Sequence, residues 1–283
     1  MIRLCAFSDE YNSDLDAQIE GLKKNGISLM EIRNVNGVNI AKMSEEMARD
    51  RAAKLAEAGI SVWSIGSPLG KVDINEDFEE YKKLVHHVCR LANIFGTKRI
   101  RMFSFFNAYD MPELVVERLK EMVAIGAQYG VEMCHENEKK VFGDVASRVE
   151  YLRDNVPGMK FVYDPANYLQ CDQDCGEALD ALLDSTAYFH IKDVISATQE
   201  MVPAGYGDGR IDDMLCRIQE DTVLTVEPHL AVFAGYSAID DTEMKHRFRF
   251  QSNEAAFYAA VDALKSVLER CGYRCENGNY IRG

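Results

Sequence analysis

No stretch of the sequence approaches the roughly 18 consecutive apolar residues that a helical membrane span requires, so a membrane anchor is not expected. Basic residues never gather into a block. Lys and Arg number 32 against 46 Asp and Glu, for a formal net charge of −14. That balance repels nucleic acid and anionic membrane surfaces, and neither is expected as a partner; the same acidity aids solubility. The eight cysteines include no C-x-x-C pair. The spacings in "CDQDC" (Cys171, Cys175) and "CGYRC" (Cys271, Cys275) are wider, with no histidine nearby, so a thiolate metal site is not indicated. The opening "MIRLCAFSDE" lacks the basic start and apolar stretch of a signal peptide and reads as a first strand. A cytoplasmic protein with reduced thiols is the expectation. No G-x-G-x-x-G follows that strand, which argues against a dinucleotide-binding open sheet.

What is present is an ordinary globular composition, 47% hydrophobic and 28% charged over 283 residues, enough for a sizeable core. One phrase recurs: an amphipathic helix, a glycine, then a short strand-like run. It appears as "LDAQIEGLKKNG" before "ISLMEIR" and as "RAAKLAEAG" before "ISVWSIG". It returns as "YKKLVHHVCRLANIFG" before "TKRIRMF" and "ELVVERLKEMVAIGAQYG" before "VEMCHEN". Gly26, Gly59, Gly96 and Gly130 suit the left-handed position that ends a helix, and they recur at about the length of one βα unit. Ser13 opens an S-x-x-D capping pattern ahead of the first helix. "MKFVYD", "AYFHIKD" and "VLTVE" complete a set of eight strands alternating with helices. No compositional break marks a linker, so residues 1–283 read as a single domain. Right-handed βα crossovers make such strands parallel, and eight of them predict an α/β fold, a closed (β/α)8 TIM barrel.

Chemistry in such a barrel sits at the C-terminal strand ends. Read in order, those ends carry Glu136 in "MCHEN" on strand five, Asp164 in "VYDPAN" on strand six, His190 in "YFHIKD" on strand seven and Glu227 in "TVEPH" on strand eight. Any one of these acids alone could be a helix cap or a solvated turn residue, and a lone histidine a packed one. Four on consecutive strands form an oxygen-rich set suited to Mn²⁺, Mg²⁺, Co²⁺ or Fe²⁺ rather than a structural thiolate zinc.

"HEN", "DPAN", "HIKD" and "EPH", with the glycine-rich "PAGYGDGRI" after strand seven, resemble the sugar isomerase/epimerase superfamily of xylose isomerase-like barrels, over nearly the whole chain. The resemblance implies that Glu136, Asp164, His190 and Glu227 bind one divalent metal ion, manganese foremost, with magnesium, cobalt, ferrous iron or zinc as alternatives. It also implies that Glu136 and Glu227 are catalytic acid/base groups on opposite faces of a bound sugar or polyol. A metal-polarised carbonyl acidifies the adjacent C–H, and a carboxylate removes that proton. Return of the proton then gives epimerisation or isomerisation, while loss of a β-hydroxyl gives dehydration. Two positions depart from the epimerase-like pattern: Asn167 stands where those relatives carry histidine, and Ser196 where they carry arginine. Tyr206 stands where many relatives place an acid.

Asn167, Lys192, His229 and Arg33 are further substrate-binding candidates. Lys192 shares a strand face with His190; like Arg33 and His229 it could instead be a rim side chain reaching for solvent. "GYGDG" could be a lid, a backbone anion site or a flexible turn. His86 and His87 are expected on a helix, at least one of them exposed, and Trp63, Phe103, Phe105 and Phe106 in the core or walling a pocket. The expected function is a metal-dependent isomerase or epimerase of a small sugar or keto-polyol. The alternatives are a dehydratase on the same site, an endonuclease IV-type enzyme, which needs more than the six histidines present, and a non-enzymatic sugar-binding subunit. Self-association as a homo-oligomer is left open.

Overall fold

In a computed structural model of the protein, which describes residues 1–234, 236 and 243–283, eight parallel strands close on themselves. They are β1 (Ile2–Ala6), β2 (Leu29–Ile32), β3 (Ser61–Gly66), β4 (Arg99–Met102), β5 (Glu132–Glu136), β6 (Lys160–Tyr163), β7 (Thr186–Ile191) and β8 (Thr222–Val226). Neighbours in sequence are neighbours in the sheet, and β8 returns to β1 with Ile2 opposite Thr222 and Ala6 opposite Val226. The predicted barrel is therefore what forms. Among the described residues, eight helices of seven residues or more surround it: α1 (Leu15–Lys24), α2 (Glu45–Glu57), α3 (Phe78–Ile94), α4 (Pro112–Gln128), α5 (Ala146–Asn155), α6 (Cys175–Leu182), α7 (Ile211–Arg217) and α8 (Asn253–Arg270). No described helix is long and apolar enough to cross a membrane.

The helix ends follow local chemistry. Gly26, Gly59, Gly96 and Gly130 all take the left-handed conformation (φ from +68° to +74°) that stops α1 to α4. The start of α1 differs from expectation: its cap is Asp14, whose carboxylate accepts from the amides of Asp16 and Ala17. Ser13 lies one residue too early, and its carbonyl accepts from the Asn36 amide. Among the elements with no counterpart in the sequence reading, two bear on the barrel's ends. A C-terminal hairpin, Tyr273–Glu276 and Asn279–Arg282, adds antiparallel to the first residues of β1; β2 reaches only Cys5 and Ala6, which leaves that edge open. Short strands Asp193–Ile195, Glu200–Val202 and Lys245–His246 form a ribbon above the barrel mouth.

Inside the barrel, alternation sets two layers. Cys5, Leu29, Cys134, Val162, Tyr188 and Val223 pack as an apolar layer. Two residues further along β2, β5, β6 and β7, on the same face, come Glu31, Glu136, Asp164 and His190. The polar cluster thus stands directly on an apolar floor. Trp63, partly buried, packs edge-on against Tyr188 in that floor, and Phe105 is a fully buried core residue. His86 and His87 on α3 are both half-buried, bonded to Tyr129 and to the Met43 carbonyl.

Candidate active site

The four predicted ligands meet. One donor atom each from Glu136, Asp164, His190 and Glu227 lies within 4.8 Å of every other, and all four residues are at least 97% buried. Glu227 therefore points into the barrel. Asp164 satisfies both readings of it: one oxygen caps the short helix Pro165–Leu169 through the Asn167 amide, while the other faces the cluster. The neighbouring asparagine in "HEN" ties the two strand ends together, since the Asn137 side chain donates to the Asp164 carbonyl and accepts from its amide.

His190 is oriented by a residue that the sequence reading did not single out. Its Nε2 lies 3.1 Å from Glu31 Oε2, and Glu31 is also held by Tyr188 Oη at 3.0 Å and Thr225 Oγ1 at 3.0 Å. That leaves Nδ1 facing inward, 3.0 Å from Glu136 Oε1 and 3.1 Å from Glu227 Oε2. A carboxylate behind a histidine is the usual support for a metal-ligating imidazole. The signal for Glu31 was an acid inside the apolar run "LMEIR"; Arg101 in "RIRM" is the same kind of signal. Its Nε lies 3.1 Å from Glu136 Oε2, and its Nη1 donates to the Ser67 carbonyl.

The substrate candidates divide. Lys192 lines the cavity above the cluster and is buried, with Nζ 2.9 Å from Asp164 Oδ2. Asn167 donates to Glu136 Oε1 at 3.3 Å and to the Asn137 carbonyl at 2.9 Å, so it steadies Glu136. His229 also lines the cavity; it adopts φ +46°, its amide donates to Glu10 Oε2, and burial pushes its imidazole down to about 4. Arg33 does not line the cavity. It is buried behind Glu227, ion-paired with Asp9, Glu10 and Glu227, and so is neither a rim side chain nor a solvent-seeking one. Ser196 sits in the exposed turn of the ribbon, bonded to Asp208, outside the cavity lining. Phe103 walls the cavity.

The glycine-rich loop is a filled anion nest rather than a flexible turn. The amides of Gly205, Gly207 and Gly209 all donate to the Asp193 carboxylate, at 2.9, 3.0 and 3.0 Å. The final residue of "HIKD" and the loop "GYGDG" are thus one unit. A Cβ at Gly207 would fall 2.3 Å from Asp193 Oδ1. Gly207→Ala is accordingly expected to cost about 1–3 kcal/mol, the range for overpacking, read as a lowered denaturation midpoint; an unchanged midpoint would show that the nest is slack.

The donor set fits a divalent cation. Asp164 Oδ2 and Glu227 Oε2 are sealed from solvent and without an aligned hydrogen bond from any described residue; Lys192 Nζ at 2.9 Å and His190 Nδ1 at 3.1 Å balance their charge, positions from which a cation could take over. Three carboxylates and one imidazole match hard to borderline ions. Burial would depress the His190 imidazole, but the Glu136 and Glu31 carboxylates hold it well above its ordinary value. An ion binding at Nδ1 must displace that proton. Ion affinity is therefore expected to rise with pH, by up to about tenfold per unit while His190 remains protonated, from its ordinary range upward. Calorimetric titration with Mn²⁺ in buffers of different ionisation enthalpy would show the released proton, and Asp164→Ala would abolish uptake. Uptake independent of pH would place the ion elsewhere.

Fold and site together define a class: a parallel barrel carrying a buried Glu/Asp/His cluster able to hold a divalent ion at the C-terminal strand ends. The chain belongs to the xylose isomerase-like TIM barrel family, whose sequence model matches residues 19–229. Solved structures share the fold at low identity. The probable 3-DHS dehydratase AsbF from Bacillus anthracis is 17% identical with a TM-score of 0.71, covering 94% of this chain and 99% of that one. An IolI protein with a bound zinc atom is 17% identical at TM-score 0.72, covering 95% and 98%. A D-allulose 3-epimerase from Methylomonas sp. is 12% identical at TM-score 0.73, covering 95% and 98%. No curated protein matches the sequence. At these identities the likeness establishes the fold, and the particular activity rests on the site.

Proposed function

We propose that the protein is a divalent-metal-dependent isomerase or epimerase of a small sugar or keto-polyol, acting by proton transfer through an enediolate. The observation that carries this reading is the placement of Glu136 and Glu227. They arise from β5 and the end of β8, with the Asp164 and His190 strands between them, and both line one cavity of ≈ 290 Å³, a small-molecule volume. A divalent ion held by Glu136, Asp164, His190 and Glu227, manganese first among the ions named above, would polarise a substrate carbonyl and offset enediolate charge. Burial opposes ionisation of Glu227, yet Lys192 and His190 hold its carboxyl well below the usual range, so it enters as a base. Its Oε1 accepts from Arg33 Nη1 at 2.7 Å, which fixes the orientation of the carboxylate that is to take the proton. Glu136, steadied by Asn167 and Arg101, faces the same space and returns a proton from the other side.

Ser196 favours keeping a second reading. It lies outside the cavity lining and supplies no contact in place of the epimerase-like arginine. Dehydration of a keto-inositol-like or keto-sugar substrate begins with the same proton removal, and one relative in fold is named a dehydratase. A ketose panel incubated in D₂O separates the two readings. The expected result is deuterium at the carbon beside the carbonyl in a product of unchanged formula. A product lighter by one water means the dehydratase, and no exchange with any ketose removes both.

A further inference from the structure

The fold separates the two cysteines of "CGYRC". Cys271 caps the C-terminal end of α8, its amide bonded to the Val267 carbonyl at 3.0 Å. Cys275 lies in the C-terminal hairpin, exposed and opposite Tyr280. Cys271 meets Cys216 instead, in the last turn of α7 and 55 positions earlier, with the two Sγ atoms 2.9 Å apart. A disulfide bond is about 2.05 Å long, so the sulfurs need to close by less than about 1 Å.

The backbone on both sides is pinned. The Cys216 carbonyl accepts from Arg282 Nη1 at 2.6 Å, and the Leu215 carbonyl accepts from Tyr273 Oη at 3.2 Å. Arg270, the residue before Cys271, pairs with Asp212 at 3.0 Å. These contacts hold α7, α8 and the hairpin as one seam, so each thiol waits beside the other at high effective concentration. The two thiols are not equivalent. Cys216 is exposed and open to a reagent from solvent. Cys271 is 6% exposed, and its thiol donates to the Asp212 carbonyl at 3.3 Å. Burial first, and the neighbouring Cys216 second, push the Cys271 thiol up to about 12. Cys216 is therefore the attacking sulfur and Cys271 the resolving one.

We propose that Cys216 and Cys271 form a reversible disulfide site, oxidised by a low-molecular-weight disulfide of the glutathione class and reduced by the matching thiol. The Cys216 thiolate attacks one sulfur of that disulfide, breaking its S–S bond and releasing one small thiolate. Cys271 then gives its proton to solvent and attacks the Cys216 sulfur, expelling the second small thiolate. Two protein thiols are oxidised to one disulfide, and one small disulfide is reduced to two thiols. α7 ends just ahead of β8, so the bond ties α7 to α8 where the strands begin, away from the metal cluster at their C-terminal ends. The site rests on neither the ion nor the reaction proposed above. Its effect is on stability, because a link across 55 positions restricts the unfolded chain.

The test equilibrates the full chain with graded ratios of oxidised to reduced glutathione and then alkylates the remaining thiols. Oxidised protein should lose two hydrogens by intact mass and give a cross-linked peptide joining Cys216 to Cys271, with Cys275 alkylated. The thermal midpoint should rise by roughly 5–10 °C, the scale of a disulfide closing a long loop in a chain of this size. Dithiothreitol should return it. Cys216→Ser removes the exposed thiol and leaves the buried one in place, and should abolish both the cross-link and the shift. Cys275→Ser should leave both. The proposal is overturned by a glutathione adduct that persists on Cys216, by a cross-link between Cys271 and Cys275, or by thiols that stay reduced in oxidised glutathione alone. A Cys216–Cys271 cross-link that lowers the midpoint or leaves it unmoved overturns it as well.

Discussion

Replacing Arg33 with methionine is expected to cost on the order of 3–5 kcal/mol of folding stability, the usual penalty for stranding buried charge by removing its partner. Arg33 is 3% exposed. Its guanidinium makes two bonds to Asp9, at 2.9 and 3.0 Å, one to Glu10 at 3.2 Å and one to Glu227 at 2.7 Å. Phe7 and Phe233 cover it at 4.2 and 4.9 Å from its carbon. Methionine fills similar space and leaves three carboxylates facing one another. Lysine keeps the charge but not the planar fork, and should rescue only part of the loss. Denaturant midpoints at fixed pH measure both, and a loss below about 1 kcal/mol would show that solvent reaches the cluster. The pH dependence has a definite sign. Burial pushes Glu10 up to about 8, with Arg33 pulling it down and Glu227 and Asp9 pushing it further up. The folded state therefore holds a proton that the unfolded chain has released. Stability from this group is full below the ordinary carboxylate range and is lost as pH rises through about 8. Glu10→Gln should flatten that decline.

Glu227→Gln and Glu136→Gln are each expected to lower turnover by roughly 10²- to 10⁴-fold, the scale of general acid–base catalysis. Glutamine keeps the shape and an oxygen ligand but cannot take a proton. Ion content measured beside turnover then separates lost proton transfer from a lost ligand. If the roles are as proposed, Glu227→Gln also blocks solvent exchange at the substrate carbon, because proton removal is the first step. Glu136→Gln can leave exchange while stopping product, because it acts on return. Turnover that survives either change would move the acid/base role to Lys192, whose ammonium lies 2.9 Å from Asp164.

What the sequence determined by itself is whatever depends on local periodicity. Apolar alternation and the glycines at 26, 59, 96 and 130 placed the elements, because a helix stop and a two-residue repeat need no distant partner. Once strands were counted, the barrel rule carried Glu136, Asp164, His190 and Glu227 to one rim, and strand pleat placed Lys192 beside them. Charges inside apolar runs, Glu31 and Arg101, were visible as anomalies but had no assigned role, since their partners are His190 and Glu136 on other strands. Only the tertiary structure decided those roles. It set Arg33, a substrate-binding candidate in the sequence, at the centre of a buried carboxylate cluster, because barrel closure brings Asp9 and Glu10 against the end of β8. It filled the "GYGDG" nest with Asp193, a pairing between residues 12 to 16 apart that composition alone leaves as a loose loop. It also paired Lys71 with Glu138, 67 residues further along the chain. Charge pairing in a barrel is set by which strand ends face each other across the axis, and that geometry exists only after the sheet has closed.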